Sequence, residues 1–179
     1  MRSALTVLIS SAGRRVELIN CFREDAHALG LKLRVLATDL NPALSAACRT
    51  ADAMFAVPRC TDVTFIPRML ELSAAEKVDL VVPTIDTELS ALAAAQNRFA
   101  AIGTRVHVSS PELVGIARDK LRTAAFFAEQ GISSPRTLPL AELLDRPEAL
   151  RYPLVLKRID GSSSIGLHMV DSVEALRRL

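Results

Sequence analysis

The sequence predicts an α/β fold in which a doubly wound parallel sheet is followed by the beginning of a smaller α+β unit. Two patterns in the 179 residues lead to this prediction. Up to about residue 110, apolar runs of strand length alternate with amphipathic stretches of helix length, which is typical of a parallel sheet covered by helices on both faces. Closer to the carboxyl terminus, two apolar runs flank a short polar turn, which is typical of an antiparallel hairpin.

The predicted sheet has five strands, with a helix between most neighbours along the chain. Each strand is a short apolar run, and the five runs cover residues 5–10, 33–37, 54–57, 80–82 and 105–108. The intervening helices are expected at residues 14–29, at 43–51, from Thr61 or Asp62 onward, and at 86–101. Gly30 follows the first of these helices directly, as a C-cap glycine does.

Beyond Ser110 the alternation of strands and helices ends. A helix over 112–129 is expected to break near Arg118, a helix over 140–150 follows, and strands at 153–159 and 166–170 form the hairpin. Asp171 and Glu174 stand at capping-box spacing and open a last helix. We therefore predict two domains, residues 1–112 and 113–179, and expect the second to be incomplete.

Composition and charge argue against several classes of protein. The 22 Lys and Arg residues nearly balance the 20 Asp and Glu residues and are scattered, so we expect no nucleic-acid partner. No apolar run approaches membrane-spanning length. Cys21, Cys48 and Cys60 are odd in number and widely spaced, which argues against a disulfide framework or a zinc site. The simplest location is the cytoplasm.

The first candidate site is a lysine followed by a loop bracketed by glycines. Lys157 stands at the end of a predicted strand, and the loop begins at Gly161, continues through Ser162, Ser163 and Ser164, and ends at Gly166. Backbone N–H groups and hydroxyls in such a loop bind phosphate oxygens, and a lysine supplies positive charge. The alternative is an ordinary hairpin turn beside a solvated lysine.

A second candidate site follows the first strand, where Ser11, Gly13 and Arg14 precede a helix. A helix amino terminus beside arginines favours anions, and ligands of parallel sheets collect at the carboxyl ends of the strands. A dinucleotide fold is the rival interpretation, because Asp39 ends the second strand where an acid would bind a ribose. The turn has a single glycine instead of the G-x-G-x-x-G pattern, which argues against NAD binding.

Thr84, Asp86 and Glu88 follow the fourth strand. In one interpretation Thr84 or Asp86 caps the next helix and the acids suit its dipole. In the other, these side chains face a substrate. The two interpretations are compatible, and both stay open here.

Three motifs follow one another in the second half of the chain. Asp119-Lys120 opens a helix, Gly-Ile-x-x-Pro-x-Thr follows from Gly131, and YPLVLKRIDGSSSIG then contains Lys157 and the loop. This succession resembles the ATP-grasp superfamily, particularly members similar to the large subunit of carbamoyl-phosphate synthase. The sequence departs from the family pattern at Arg158, where the family often has proline, and in its three serines, where glycine is more common. The resemblance extends over nearly the whole chain and implies a Rossmann-like domain that precedes the ATP-grasp domain.

The resemblance implies that Lys120 and Lys157 contact ATP and that the loop from Gly161 to Gly166 covers its β- and γ-phosphates. It also implies ATP with Mg²⁺, a small-molecule carboxylate activated as an acyl phosphate, and an amine or similar nucleophile that attacks it. The metal ligands and catalytic residues are expected in a later half, so we expect no catalytic residue in this chain and no activity from it alone. A homodimer or a complementary subunit would be the protein partner. A non-catalytic Rossmann-like interaction module is the alternative.

Overall fold

A computed structural model describes residues 4–161 and 164–178 of the chain. The chain divides into two compact units, Met1–Pro111 and Glu112–Leu179. Within the described ranges, no helix is both long enough and apolar enough to cross a membrane.

The first unit contains a parallel sheet of five strands. Along the chain they are β1 (Ala4–Ser10), β2 (Lys32–Asp39), β3 (Ala53–Ala56), β4 (Leu80–Pro83) and β5 (Arg105–Val106). Their order across the sheet is β3-β2-β1-β4-β5, so the direction of winding reverses between β1 and β4. The predicted doubly wound α/β fold is confirmed, and the crevice for ligands of such sheets lies at the carboxyl ends of β1 and β4.

The helices of the first unit are shorter than the sequence suggested. They are α1 (Val16–Ala28), α2 (Ala46–Thr50), α3 (Phe65–Ala75), α4 (Leu89–Ala94) and α5 (Gln96–Ala101), with 3₁₀ turns at Pro42–Leu44 and Asp86–Glu88. The helix predicted over 86–101 is therefore a 3₁₀ turn and two helices, separated at Ala95.

The helix expected from Thr61 or Asp62 begins only at Phe65. The carboxylate of Asp62 accepts hydrogen bonds from the backbone N–H of Thr64 at 2.8 Å and from its hydroxyl at 2.6 Å. These two bonds close a turn outside the helix and lower the pKa of the Asp62 carboxyl below its ordinary value.

Both faces of the central strands are covered. Residues 7–9 of β1 and 35–37 of β2 are all 0% exposed. Leu8 and Leu36 pack on one face with Phe65 and Phe99, whereas alternate residues of the same strands pack on the other face with Ile19. Burial on both faces explains why these strands are continuous apolar runs in the sequence.

Cys48 lies in α2 and is 1% exposed, whereas Cys21 is exposed on α1. The pKa of the Cys48 thiol is raised above its ordinary value, mainly because the thiol is buried. A hydrogen bond with Ser45 lowers this pKa in part, and the nearby charge of Asp39 raises it further. Since the folded thiol keeps its proton to higher pH than the unfolded thiol, this effect stabilises the fold below the unfolded pKa. That stabilisation is lost as the pH rises through the folded pKa.

We expect iodoacetamide to alkylate Cys48 at least ~100-fold more slowly than Cys21, because a buried protonated thiol is a poor nucleophile. Mass spectrometry of peptides from the folded protein at pH 8 measures both rates, and urea-unfolded protein provides the control in which the two rates converge. Equal rates in the folded protein would contradict the burial of Cys48.

The second unit combines helices with a hairpin. Its elements are α6 (Pro111–Arg118), α7 (Lys120–Glu129), α8 (Leu140–Asp145), β6 (Leu154–Leu156), β7 (His168–Val170) and α9 (Val173–Leu176). Strands β6 and β7 are antiparallel, as predicted. A small core is built around Leu143, Val170 and Leu176.

Side-chain caps set the helix boundaries in this unit. The carboxylate of Asp119 accepts the N–H groups of Leu121 and Arg122, both at 2.9 Å, and α7 therefore begins anew after the predicted break. The helix predicted over 140–150 ends at Asp145, since Pro147 has no N–H to continue it. Ser172, rather than Asp171, caps α9 by accepting the N–H of Ala175 at 3.1 Å.

Candidate functional site

Lys120 is the first residue of α7, and its ammonium group lies against the chain that follows β6. The Nζ atom donates to the carbonyl oxygen of Gly161 at 2.7 Å and to that of Ile159 at 3.3 Å. The backbone N–H of Lys120 also donates to the Ile159 carbonyl, at 3.2 Å. These three bonds join the start of α7 to the beginning of the glycine-bracketed loop.

Lys120 and Lys157 line one cavity of about 860 Å³ within the second unit. Four of its lining residues are cationic: Lys120, Arg136, Arg151 and Lys157. Apart from Thr137, the other lining residues are apolar, with leucines and prolines in the majority, and none of the described residues that line it is acidic. A cavity of this chemistry suits a ligand that combines an apolar ring system with negative charge.

Lys157 follows β6 directly and is exposed. In the part of the chain that the structure describes, its ammonium has no hydrogen-bonding or ion-pairing partner. The ammonium of Lys120, by contrast, gives two of its three N–H donors to backbone carbonyls and keeps one. The two lysines thus retain donors for an anion in the cavity.

The loop between β6 and β7 is described at three of its five predicted site positions. Gly161 accepts the bond from Lys120, and both Ser164 and Gly166 have left-handed backbone, with φ of 58° and 73°. The predictions for Ser162 and Ser163 fall outside the described residues. Glycine adopts positive φ without steric cost, which accounts for its presence at 166.

Sequence reasoning missed Arg136 and Arg151 as cavity residues. Arg136 lies between Pro135 and Thr137 in the motif that was already singled out, and Arg151 lies two positions before Pro153. A cation inside one recognised motif, and another directly before the next motif, was the available signal. It carried little weight because surface arginines are common in links.

Glu88 lies at the carboxyl ends of β1 and β4 in the first unit and is 0% exposed. One carboxylate oxygen accepts the hydroxyls of Ser10 at 2.6 Å and Ser11 at 2.9 Å, and the other accepts the N–H groups of Thr84 at 2.8 Å and Ile85 at 3.2 Å. Four donors surround this carboxylate. The buried acid therefore joins the loop after β1 to the turn after β4.

Thr84 strengthens the same junction. Its hydroxyl donates to the carbonyl oxygens of Ser10 at 3.0 Å and Ser11 at 2.7 Å, and its own carbonyl accepts from the guanidinium of Arg15 at 3.0 Å. The Glu88 carboxylate thus accepts the N–H groups of Thr84 and Ile85, the two residues that directly precede the 3₁₀ turn. Asp86 is exposed and opens the 3₁₀ turn.

The loop after β1 brings Ser11, Gly13 and Arg14 together beside β2. Ser11 and Gly13 both have a φ of 51°, and Arg14 is exposed. The N–H of Gly13 donates to the carboxylate of Asp39 at 2.9 Å. In a dinucleotide site this loop would present its N–H groups to a pyrophosphate, but here a carboxylate already binds one of them, which weakens the dinucleotide interpretation.

Among residues 4–161 and 164–178, no group of three or more His, Cys, Asp and Glu side chains is arranged so that it could hold a metal ion.

Residues 7–107 match a family model described as the PylC-like N-terminal domain. The match covers more than half of the chain and nearly all of the five-stranded unit. No curated protein sequence gives a significant match.

Solved structures with the same fold include several biotin carboxylases. The biotin carboxylase domain of Hydrogenobacter thermophilus 2-oxoglutarate carboxylase, in complex with MgADP, ADP and bicarbonate, has a TM-score of 0.65 at 18% identity. A β-γ-ATP complex of Campylobacter jejuni biotin carboxylase has a TM-score of 0.67 at 17% identity. Each match covers 97% of this chain, and the chain spans 39% and 40% of those two chains.

Proposed function

Because the chain belongs to the PylC-like N-terminal domain family, we propose that it is the N-terminal portion of an ATP-grasp ligase and that its second unit binds ATP. The observation that carries this proposal is the cavity lined by four cations and otherwise mainly by apolar residues. Related folds bound to MgADP and to β-γ-ATP support the same ligand.

The residues of the cavity fit a nucleoside triphosphate. Its volume of about 860 Å³ lies within the usual range for small-molecule sites, roughly 300–1,000 Å³. Leu121, Leu138 and Leu156 offer an apolar wall for a base, whereas Lys120 and Lys157 offer charged donors for phosphates. We assign Gly161, Ser164 and Gly166, with Ser162 and Ser163, to the same phosphates.

Lys120 has a double role in this proposal. Two of its N–H donors hold the carbonyls of Ile159 and Gly161, and the third is left for a phosphate oxygen. Lys157 has its donors available and therefore contributes the larger share of direct phosphate contact. Mg²⁺ would neutralise the phosphates, and we assign none of its ligands to the described residues.

In this proposal, the first unit binds the small-molecule substrate. We propose that Ser11, Gly13 and Arg14 contact a small-molecule substrate at the carboxyl ends of the strands, where ligands of doubly wound sheets bind. Glu88 and Thr84 hold this loop in position, and Asp86 lies exposed beside them. The ligase chemistry we infer activates a carboxylate with ATP for attack by an amine or similar nucleophile.

Hydrogen exchange of the complete gene product tests ATP binding directly. We expect MgATP to slow exchange several-fold in peptides that cover residues 119–123 and 157–168, because bound phosphates would immobilise Lys120 and the loop. Peptides from β3 and α3 should exchange at unchanged rates and are the internal control.

A second arm of the experiment uses NAD⁺ in place of MgATP. Protection by NAD⁺ at residues 10–15, with no effect of MgATP at 157–168, would contradict the ATP proposal and favour the dinucleotide alternative. An absence of protection by either nucleotide would favour a non-catalytic interaction module.

A further inference from the structure

The alkyl chain of Arg158 lies between the two glycines that bracket the loop. A Cβ atom added at Gly161 would lie 2.9 Å from the Cβ of Arg158, and one added at Gly166 would lie 3.3 Å from both its Cγ and its Cδ. Both distances are shorter than an ordinary van der Waals contact of a Cβ atom. The side chain of Arg158 therefore fills the space that any larger residue at 161 or 166 would need.

The two glycines differ in why they are required. Gly166 has a φ of 73°, so its backbone conformation alone favours glycine. Gly161 has no positive φ, and for this residue only the contact with the Cβ of Arg158 excludes a side chain. The N–H of Gly161 also donates to the Arg158 carbonyl at 3.4 Å, and its own carbonyl accepts from Lys120.

The guanidinium of Arg158 stays at the surface. The side chain is 64% exposed, and its nearest acid is Asp160, at 3.6 Å between the guanidinium nitrogen and the carboxylate oxygen. An exposed pair at this distance holds the guanidinium only weakly. The packed part of the residue is thus its alkyl chain, a common arrangement for arginine.

We propose that Arg158 is a positioning residue for the loop: its Cβ packs at Gly161, its Cγ and Cδ hold Gly166 in place, and its guanidinium adds positive charge beside them. The inference rests on the proposed function in one respect, which is that this loop binds the phosphates of ATP. The packing itself is independent of any nucleotide.

A double-mutant cycle between Arg158→Ala and Gly166→Ala tests the packing in nucleotide-free protein, with hydrogen exchange of residues 164–168 as the measurement. Gly166→Ala costs backbone strain whether or not Arg158 is present, so that cost cancels in the cycle. The coupling energy then reports only the steric contact between the added methyl group at residue 166 and the side chain of Arg158. We expect Gly166→Ala to accelerate exchange more in the protein that keeps Arg158 than in the Arg158→Ala variant, by about fivefold for a coupling near 1 kcal/mol. Additive effects would overturn the inference.

Single variants separate the alkyl chain from the charge. Arg158→Met keeps the chain and should exchange like the wild type, whereas Arg158→Ala should exchange about fivefold faster in the same segment. Arg146→Ala is the matched control. Arg146 is an exposed arginine of the same unit, and among the described residues its only ion-pair partner is the carboxylate of Asp145, 3.9 Å away. Equal exchange in Arg158→Ala and the wild type would also overturn the inference.

The Michaelis constant for ATP in the complete gene product links the packing to function. Arg158→Ala should raise it through loss of loop order, Arg158→Met less, and Arg158→Lys least. If the wild type binds no ATP while the exchange results hold, the proposed function fails and the packing role of Arg158 stands. If ATP binds and Arg158→Ala changes neither exchange nor the Michaelis constant, the inference about Arg158 fails alone.

Discussion

Replacing Lys157 with alanine is expected to weaken ATP binding by roughly 10- to 150-fold, because a hydrogen bond to a charged group contributes about 1.5–3 kcal/mol. Lys157 is exposed, lines the four-cation cavity and keeps its ammonium unpaired within the described part of the chain. The lost energy is therefore that of the phosphate contact, with little rearrangement of the protein. Isothermal titration calorimetry of the complete gene product with MgATP measures the change.

Two variants provide the comparison for Lys157→Ala. Lys32→Ala removes an exposed lysine at the start of β2 in the first unit and should leave the affinity for ATP unchanged. Lys157→Arg retains the charge with different geometry and should lie between the wild type and Lys157→Ala. An unchanged dissociation constant for Lys157→Ala, in a protein that unfolds at the wild-type temperature, would refute the assignment of Lys157 to the phosphates.

Replacing Glu88 with alanine is expected to lower the free energy of unfolding of the first unit by about 3–5 kcal/mol. The substitution leaves two backbone N–H groups and two hydroxyls without their acceptor, and Glu88 is 0% exposed, so water does not readily replace it. Each unsatisfied buried donor costs about 1–3 kcal/mol, although local relaxation recovers part of this. Urea unfolding followed by circular dichroism measures the difference.

Glu24→Ala is the matched control for Glu88→Ala. It removes the same negative charge, but from an exposed glutamate of α1. We expect it to change the free energy of unfolding by less than about 0.5 kcal/mol. Glu88→Gln should be intermediate, since its amide oxygen still accepts from the N–H groups and the two serine hydroxyls can turn to accept from its NH₂. A Glu88→Ala protein as stable as Glu24→Ala would contradict the structural role of Glu88.

The stability result also bears on the substrate side of the first unit. If Glu88 acts by holding the loop after β1, variants at Glu88 should change substrate affinity and stability together. A variant such as Arg14→Ala, whose residue is exposed, should change substrate affinity alone. Comparing the Glu88 variants with Arg14→Ala therefore separates the structural role of Glu88 from the substrate-binding role proposed for Arg14.

Much of the fold was predictable because strand burial leaves a direct trace in the sequence. Strands β1 and β2 are covered on both faces, so their residues form apolar runs that no surface element would carry. Helix ends were less predictable. Whether Asp62, Thr64, Asp171 or Ser172 caps a helix depends on which side chain reaches a free N–H group, and several adjacent residues are chemically able to do so.

The α/β class, the five parallel strands, the hairpin and the resemblance to ATP-grasp enzymes could all be predicted from the amino-acid sequence. That resemblance is confirmed by the family match over residues 7–107 and by the fold shared with biotin carboxylases. These properties follow from periodicity and from motifs that are contiguous along the chain, so each can be recognised without knowing which distant residues meet.

The contacts of the polar residues, by contrast, could be identified only in the folded chain. Glu88 was one of two acids after β4, and its burial among Ser10, Ser11 and Thr84 depends on pairing between β1 and β4, more than 70 residues apart. In the sequence, Arg158 is recognisable only as a departure from the family pattern. In the structure, its alkyl chain lies between Gly161 and Gly166. Contacts between residues distant in sequence are set by packing, and local composition leaves no trace of them.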